Sequence, residues 1–264
     1  MDVLKRNNIN VFGRGEQALM FGHGFGCDQN MWRFVTSAFQ QQYKIVLFDH
    51  VGAGNSDLNA YDTGKYGSLQ GYASDMLEIC GKLNLEEVIF VGHSVSAMMG
   101  VLSAIREPAL FSKLVLIGPS PCYINDENYV GGFDRADLLS MLAYMEHDYP
   151  LWADTFAPLI MGNPDKPSLG EELAQSFCNT DPDIARHFAQ VTFLSDNRLD
   201  LPKLQTQTLI MQCAEDIIAP AEVGDYVHHA IRNSTLVQME ATGHCPNLSA
   251  PLETIAIIDD FLKV

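Results

Sequence analysis

Residues 92–96 read Gly92-His93-Ser94-Val95-Ser96. The apolar run Val88-Ile89-Phe90-Val91 precedes them, and Ala97-Met98-Met99-Gly100 follows. A buried strand, a tight turn with a serine at its tip, and a helix of small and apolar residues are what a G-x-S-x-G nucleophile elbow requires. The turn strains the serine's backbone and lifts its hydroxyl clear of the sheet. Small flanking residues let strand and helix approach closely. Ser96 stands where the motif has its second glycine. The elbow therefore needs support from the rest of the chain.

That support lies in the C-terminal third. The short apolar run Leu209-Ile210-Met211-Gln212-Cys213 is followed by Ala214-Glu215-Asp216, which puts Asp216 on a loop leaving a strand. Thr235-Leu236-Val237-Gln238-Met239 is the next such run, and Gly243-His244 follows on its exit loop. Serine is a poor nucleophile until a base takes its proton. Histidine titrates near neutrality and can do so, and a buried carboxylate fixes the imidazole tautomer and stabilises the imidazolium. Ser94, Asp216 and His244 occur in the chain order Ser, Asp, His. Glu215, Asp196 and Asp225 are the rival carboxylates, and loop position favours Asp216. An oxyanion hole needs two backbone N–H groups, one just after the nucleophile and one on the loop after an early strand. Val95 and Phe25 fill these places, the latter in His23-Gly24-Phe25-Gly26 after the run Ala18-Leu19-Met20-Phe21.

Elements must bring these parts together. Strand-like runs occur at Leu19 to Phe21, Ile45 to Phe48, Val88 to Val91 and Leu114 to Ile117. Helical stretches lie between them at Trp32–Phe39, Leu69–Leu83 and Ala97–Arg106. Strands alternating with helices mean crossover units and a parallel sheet, and continuously apolar strands mean helices on both faces. The expected fold class is α/β, with ligands bound at the carboxyl ends of the strands. From 121 to 199 the pattern changes to amphipathic stretches punctuated by prolines: Arg135–Tyr149, Leu151–Ile160, Leu169–Phe177 and Pro182–Leu194. We read these as four helices of a cap, 121–199, inserted into a core made of 1–120 and 200–264.

Composition bounds the function. A chain of 264 residues is one domain with an insertion. A net charge of −17 argues against partners rich in phosphate, whether nucleic acid or an anionic membrane surface. No apolar run approaches the ~20 residues that span a bilayer. The start of the chain shows no signal-peptide pattern, so a cytoplasmic location is expected. The six cysteines stand singly, without a C-x-x-C pair. Metal and redox sites are not expected, nor is a cofactor, and buried thiols are. Cys245, beside His244, reads as a small packing residue. His23 and His93 read as anchors of backbone, while His50, His147, His187, His228 and His229 read as surface or cap positions. Asp49 and Asp57 read as holding the Gly52-Ala53-Gly54 turn.

The chain resembles the RsbQ-like α/β-hydrolases and the plant karrikin and strigolactone receptors. The resemblance is carried by the segments 23–29, 47–54, 90–98, 118–126, 131–133 and 212–220, and extends over nearly the whole chain. Gly-His-Ser-Val-Ser is itself the plant-receptor form of the elbow, while the segments 213–220 and 243–246 lean towards the bacterial branch. The resemblance implies an α/β-hydrolase fold, a serine-hydrolase triad under a helical lid, an apolar pocket and a sensing role. The pocket is expected from Phe25, Tyr123, Phe133, Trp152, Phe156, Leu159, Phe193 and Ile218. Positions matching Trp152, Phe156, Leu159 and Phe193 line the cavity in the resembling receptors. The expected ligand is a small, largely apolar ester or butenolide-like lactone. The resemblance further implies a PAS-domain phosphatase, or another signalling protein, meeting the cap. Two other readings stay open. One is a metabolic carboxylesterase or carbon–carbon bond hydrolase without a partner; the other is a ligand-binding module with vestigial catalysis.

Overall fold

The computed structural model describes residues 2–263. Seven strands form one sheet: β1 (Asn10–Phe12), β2 (Ala18–Gly22), β3 (Lys44–Leu47), β4 (Val88–His93), β5 (Phe111–Ile117), β6 (Gln207–Gln212) and β7 (Ser234–Gln238). Their order is β1-β3-β2-β4-β5-β6-β7. Every neighbouring pair is parallel except β1 against β3. The helices are α1 (Val3–Arg6), α2 (Leu69–Lys82), α3 (Val95–Arg106), α4 (Arg135–His147), α5 (Tyr149–Met161), α6 (Pro167–Cys178), α7 (Pro182–Phe193), α8 (Ala221–Ala230), α9 (Pro246–Ser249) and α10 (Pro251–Leu262).

Why the strands are apolar throughout follows from the pleat. Successive side chains point to opposite faces, so a sheet covered on both sides buries every residue. Leu19, Phe21, Ile89, Val91, Val115 and Ile117 join one core with Trp32, Trp152, Phe177 and Phe261. Their chain neighbours Met20, Phe90, Leu114 and Leu116 join a second core with Tyr72, Met76, Val101 and Val227. Burying one such side chain contributes about 1.5–3 kcal/mol. β2 and β4 are therefore rigid rails, and what they carry at their ends is firmly placed.

Two local readings change. Trp32–Phe39 is not an α-helix; the chain forms 3₁₀ turns at Gln29–Trp32 and Thr36–Ala38. Asp28 accepts from the Asn30 N–H and starts the first turn. β1, Asn10-Val11-Phe12, is too short to read as a strand, and all three of its residues are exposed. It is the antiparallel edge strand, where pairing comes from the backbone.

Between β5 and β6 the sheet receives no strand. The four helices α4 to α7 occupy this stretch. Three prolines start helices here: Pro150 lies in the first turn of α5, and Pro167 and Pro182 open α6 and α7, while Pro164 lies in the turn between α5 and α6 and Pro158 lies inside α5. A first-turn proline loses no intrahelical hydrogen bond. The two ends of the insertion are tied together. Cys122 pairs with Asp196 as an antiparallel bridge, and the Asn197 N–H donates to Pro121 O at 2.7 Å.

Candidate active site

Ser94 follows β4, Asp216 follows β6, His244 follows β7 and Phe25 follows β2. Loops at the carboxyl ends of parallel strands meet over the sheet. Ser94 has φ 56° and ψ −123°. This positive φ in a residue with a side chain is costly, and it sits at the tip of the turn between β4 and α3.

The Ser94 hydroxyl donates to Nε2 of His244 at 2.7 Å. Nδ1–H of the same ring donates to Oδ2 of Asp216, also at 2.7 Å. Oδ1 of Asp216 accepts the N–H groups of Ile218 and Ala219 at 2.8 and 3.1 Å. All three side chains are buried. Burial alone would raise the Asp216 pKa; the facing His244 and the two backbone donors outweigh it and hold the carboxyl below its ordinary value. Glu215, Asp196 and Asp225 are exposed, and Asp216 is the carboxylate bonded to His244.

His244 is aimed by its backbone. Its N–H donates to Ile160 O at 2.9 Å, and Gly243 N–H donates to Glu215 O at 2.6 Å. Gly243 has φ +78°, and a Cβ there would lie 1.7 Å from Met161 O. Glycine is thus required for the histidine loop to pass under α5. His93 donates through Nε2 to His244 O at 2.7 Å.

Ser96 explains its departure from the glycine motif. It is fully buried, its hydroxyl donates to His23 O, and it accepts from His50 Nε2 at 2.7 Å. His23 Nδ1–H donates to Gly24 O at 2.9 Å, and its Nε2 accepts the His50 N–H at 3.0 Å. The network joins the first turn of α3 to the loop carrying Phe25. Gly22 leaves room for it, since a Cβ there would lie 3.0 Å from that of Ser96. His50 is accordingly buried, not at the surface; Ser96 and His23 give its imidazole partners that no local pattern announces. Asp49 accepts from Gln29 N–H and Asn55 N–H at 2.9 Å each, and so holds the following turn. Among the described residues, no acceptor pairs with the backbone N–H of Phe25 or of Val95. Val95 opens α3, where the first N–H groups are free by geometry.

A small cavity of about 30 Å³ sits against Ser94 and His244. Phe25, Tyr123, Phe193 and Ile218 line it, with Cys27, Ile160, Leu173, Phe177, Thr192 and Cys245. Trp152 is one layer behind, its ring 6.4 Å from that of Phe25 and 5.3 Å from that of Phe177. Phe156 stacks on Trp152 at 5.6 Å and is absent from the cavity wall. Phe133 is engaged in a bridge with Ile124. Leu159 is 55% exposed, on the outer face of α5. Phe133, Trp152, Phe156 and Leu159, all expected to line the pocket, are therefore not lining residues of this cavity. Consecutive helical residues point about 100° apart, so Ile160 turns inward where Leu159 turns out. Burial pushes the Cys27 thiol up to about 12, which makes it apolar wall. Of the six cysteines Cys178 is exposed, against the expectation of buried thiols throughout.

The model of the alpha/beta hydrolase family matches residues 19–257. The chain belongs to that family. A strigolactone esterase of Arabidopsis thaliana is 38% identical over 253 residues, covering 96% of this chain and 94% of the relative. A karrikin insensitive 2 receptor of Petunia hybrida is 37% identical, covering 97% and 95%. Among solved structures, a hydrolase from Oleispira antarctica superposes with a TM-score of 0.97 at 42% identity, covering 99% of this chain and 96% of that one. This member of the family has no described helix long and apolar enough to cross a membrane. Among the described residues no group of His, Cys, Asp and Glu could hold a metal ion.

In this hydrolase the buried imidazoles carry a pH signature. Burial lowers the pKa of His23 and lowers that of His50 further, with His23 adding to the effect at His50. Burial and the adjacent His244 push His93 down to about 3. Each is neutral when folded and takes a proton more readily when unfolded. Acid therefore favours the unfolded chain, from about pH 6.5 down to the folded values. Each proton taken up on unfolding adds a loss of up to about 1.4 kcal/mol per pH unit between that imidazole's unfolded and folded values. Asp216 adds a loss in the same direction below about pH 4. Urea unfolding at a series of pH values checks this; a midpoint constant between about pH 6.5 and 4.5 contradicts it.

Proposed function

We propose that the chain is a serine hydrolase that cleaves a small, largely apolar ester or lactone through an acyl-enzyme on Ser94. The carrying observation is the unbroken hydrogen-bonded path from Asp216 through His244 to a strained Ser94. Ser94 Oγ attacks the carbonyl carbon while His244 Nε2 takes its proton. The N–H groups of Phe25 and Val95 receive the oxyanion. The imidazolium, steadied by Asp216, returns the proton to the departing alcohol. Water then attacks the acyl-enzyme by the same route and frees the acid.

The wall of the cavity supports the substrate class. It is aromatic and aliphatic, and it contains no Lys or Arg to hold a polyanion. An elbow serine, in place of an aspartate, points to acyl transfer. The relatives named strigolactone esterase and karrikin receptor support a lactone-type ligand, and also the reading that occupancy is passed to a signalling protein. In that reading the insertion over Ser94, residues 121–199, filters ligands and carries the partner's surface. A chain-length series of p-nitrophenyl esters tests the substrate class. With a 30 Å³ cavity, acetate and propionate should be turned over fastest, and kcat/KM should drop at least about tenfold by octanoate. A rate that rises with chain length would overturn the small-substrate reading.

A further inference from the structure

Among the residues that line the cavity is a threonine whose hydroxyl has no partner. Thr192, in the last turn of α7, is 1% exposed and lines the cavity beside Phe193. Its Oγ1 has no hydrogen bond. Helical threonines usually bond back to the preceding turn. Thr155 does so to Leu151 O at 2.7 Å, and Thr254 to Ala250 O at 3.1 Å. A buried hydroxyl left unpaired weakens the fold, and valine would fill the same space without that cost. Tyr123 lines the same cavity and is also buried, and its phenol lies beside the Ser94 hydroxyl. The nucleophile's side of the cavity thus has its own polar group, and Thr192 supplies a second, separate point.

We infer that Thr192 is a specificity residue whose Oγ1–H donates to a second oxygen of the substrate, an ether or carbonyl acceptor on the group lodged in the cavity. This rests on the reading of Ser94 as the acylated nucleophile. A cavity whose wall away from Ser94 and His244 is mostly apolar then selects an oxygenated ester or lactone over its hydrocarbon twin. The twin leaves the Thr192 hydroxyl unpaired in the bound state, and a buried polar group without a partner is what makes discrimination strong.

Matched pairs of p-nitrophenyl esters test it: methoxyacetate against butyrate, and 3-methoxypropionate against pentanoate. Members of a pair have equal length and differ by oxygen in place of one methylene. Each kcat/KM is divided by that ester's own hydroxide rate. The wild-type chain should favour one ether ester by about tenfold. Thr192→Val should abolish the preference and Thr192→Ser should keep it, with the urea midpoint of Thr192→Val equal to or above wild type. An equal ratio in wild type and Thr192→Val overturns the inference, as does a Thr192→Val chain that unfolds more easily, which would make the hydroxyl structural. If Ser94 reacts with a fluorophosphonate and both members of each pair turn over alike, this inference alone falls. If Ser94 stays unlabelled and no ester is cleaved, the hydrolase reading falls and takes this one with it.

Discussion

Replacing Ser94 by alanine is expected to lower kcat for a small chromogenic ester by about 10⁴-fold or more. That corresponds to on the order of 5 kcal/mol of barrier. The size follows from the geometry. His244 can act as a base only on a proton it can reach, and the Ser94 hydroxyl is 2.7 Å from its Nε2. Without that hydroxyl no covalent intermediate forms, and the free N–H groups of Phe25 and Val95 are left to polarise a bound carbonyl. Steady-state rates with active-site occupancy checked by ligand binding measure the effect. A loss of only a few-fold would mean that another nucleophile does the work.

The second large effect belongs to Asp216. Asp216→Asn should leave the fold intact and lower kcat by on the order of 10³–10⁴. The carboxylate holds Nδ1–H of His244 in place, so that Nε2 faces Ser94 unprotonated. An amide can present an N–H to Nδ1 and turn the ring into the wrong tautomer. Oδ1 of Asp216 is already committed to the N–H groups of Ile218 and Ala219. Turning the amide so that its oxygen faces the histidine would set an NH₂ against those two donors. A mild loss in the variant would assign the role to another carboxylate, yet the neighbouring Glu215 is exposed while Asp216 is buried against the ring.

How far the sequence reaches depends on what kind of information a feature needs. The strand runs Val88–Val91 and Leu209–Cys213 are legible because a doubly covered sheet leaves no polar face. The loops that follow them then place Ser94 and Asp216 at one end of the sheet. β1 is illegible because its three residues are exposed and its pairing is made by backbone. The pocket is half legible. Phe25, Tyr123, Phe193 and Ile218 lie near strand ends or the tied ends of the insertion. Leu159 and Phe156 lie on a helix, where a rotation of about 100° between neighbours decides which residue faces Ser94. Periodicity marks the buried stripe of α5 and does not say which part of it meets the cavity. Phe177 and Ile160 belong to stretches read as helical, and only their packing brings them to the wall. His50 and Ser96 illustrate a further limit. A hydrogen bond between residues 46 positions apart has no local signature, so a buried polar pair reads as a surface histidine and a missing glycine.

The central claim is that Ser94 is the covalent nucleophile of this α/β-hydrolase. Mass spectrometry of the intact chain after exposure to a serine-directed fluorophosphonate tests it most directly. The account predicts a single adduct on the wild-type chain, mapping to the peptide that contains Ser94 and absent from Ser94→Ala. An adduct on a different residue, or none on the folded wild-type chain, would contradict it.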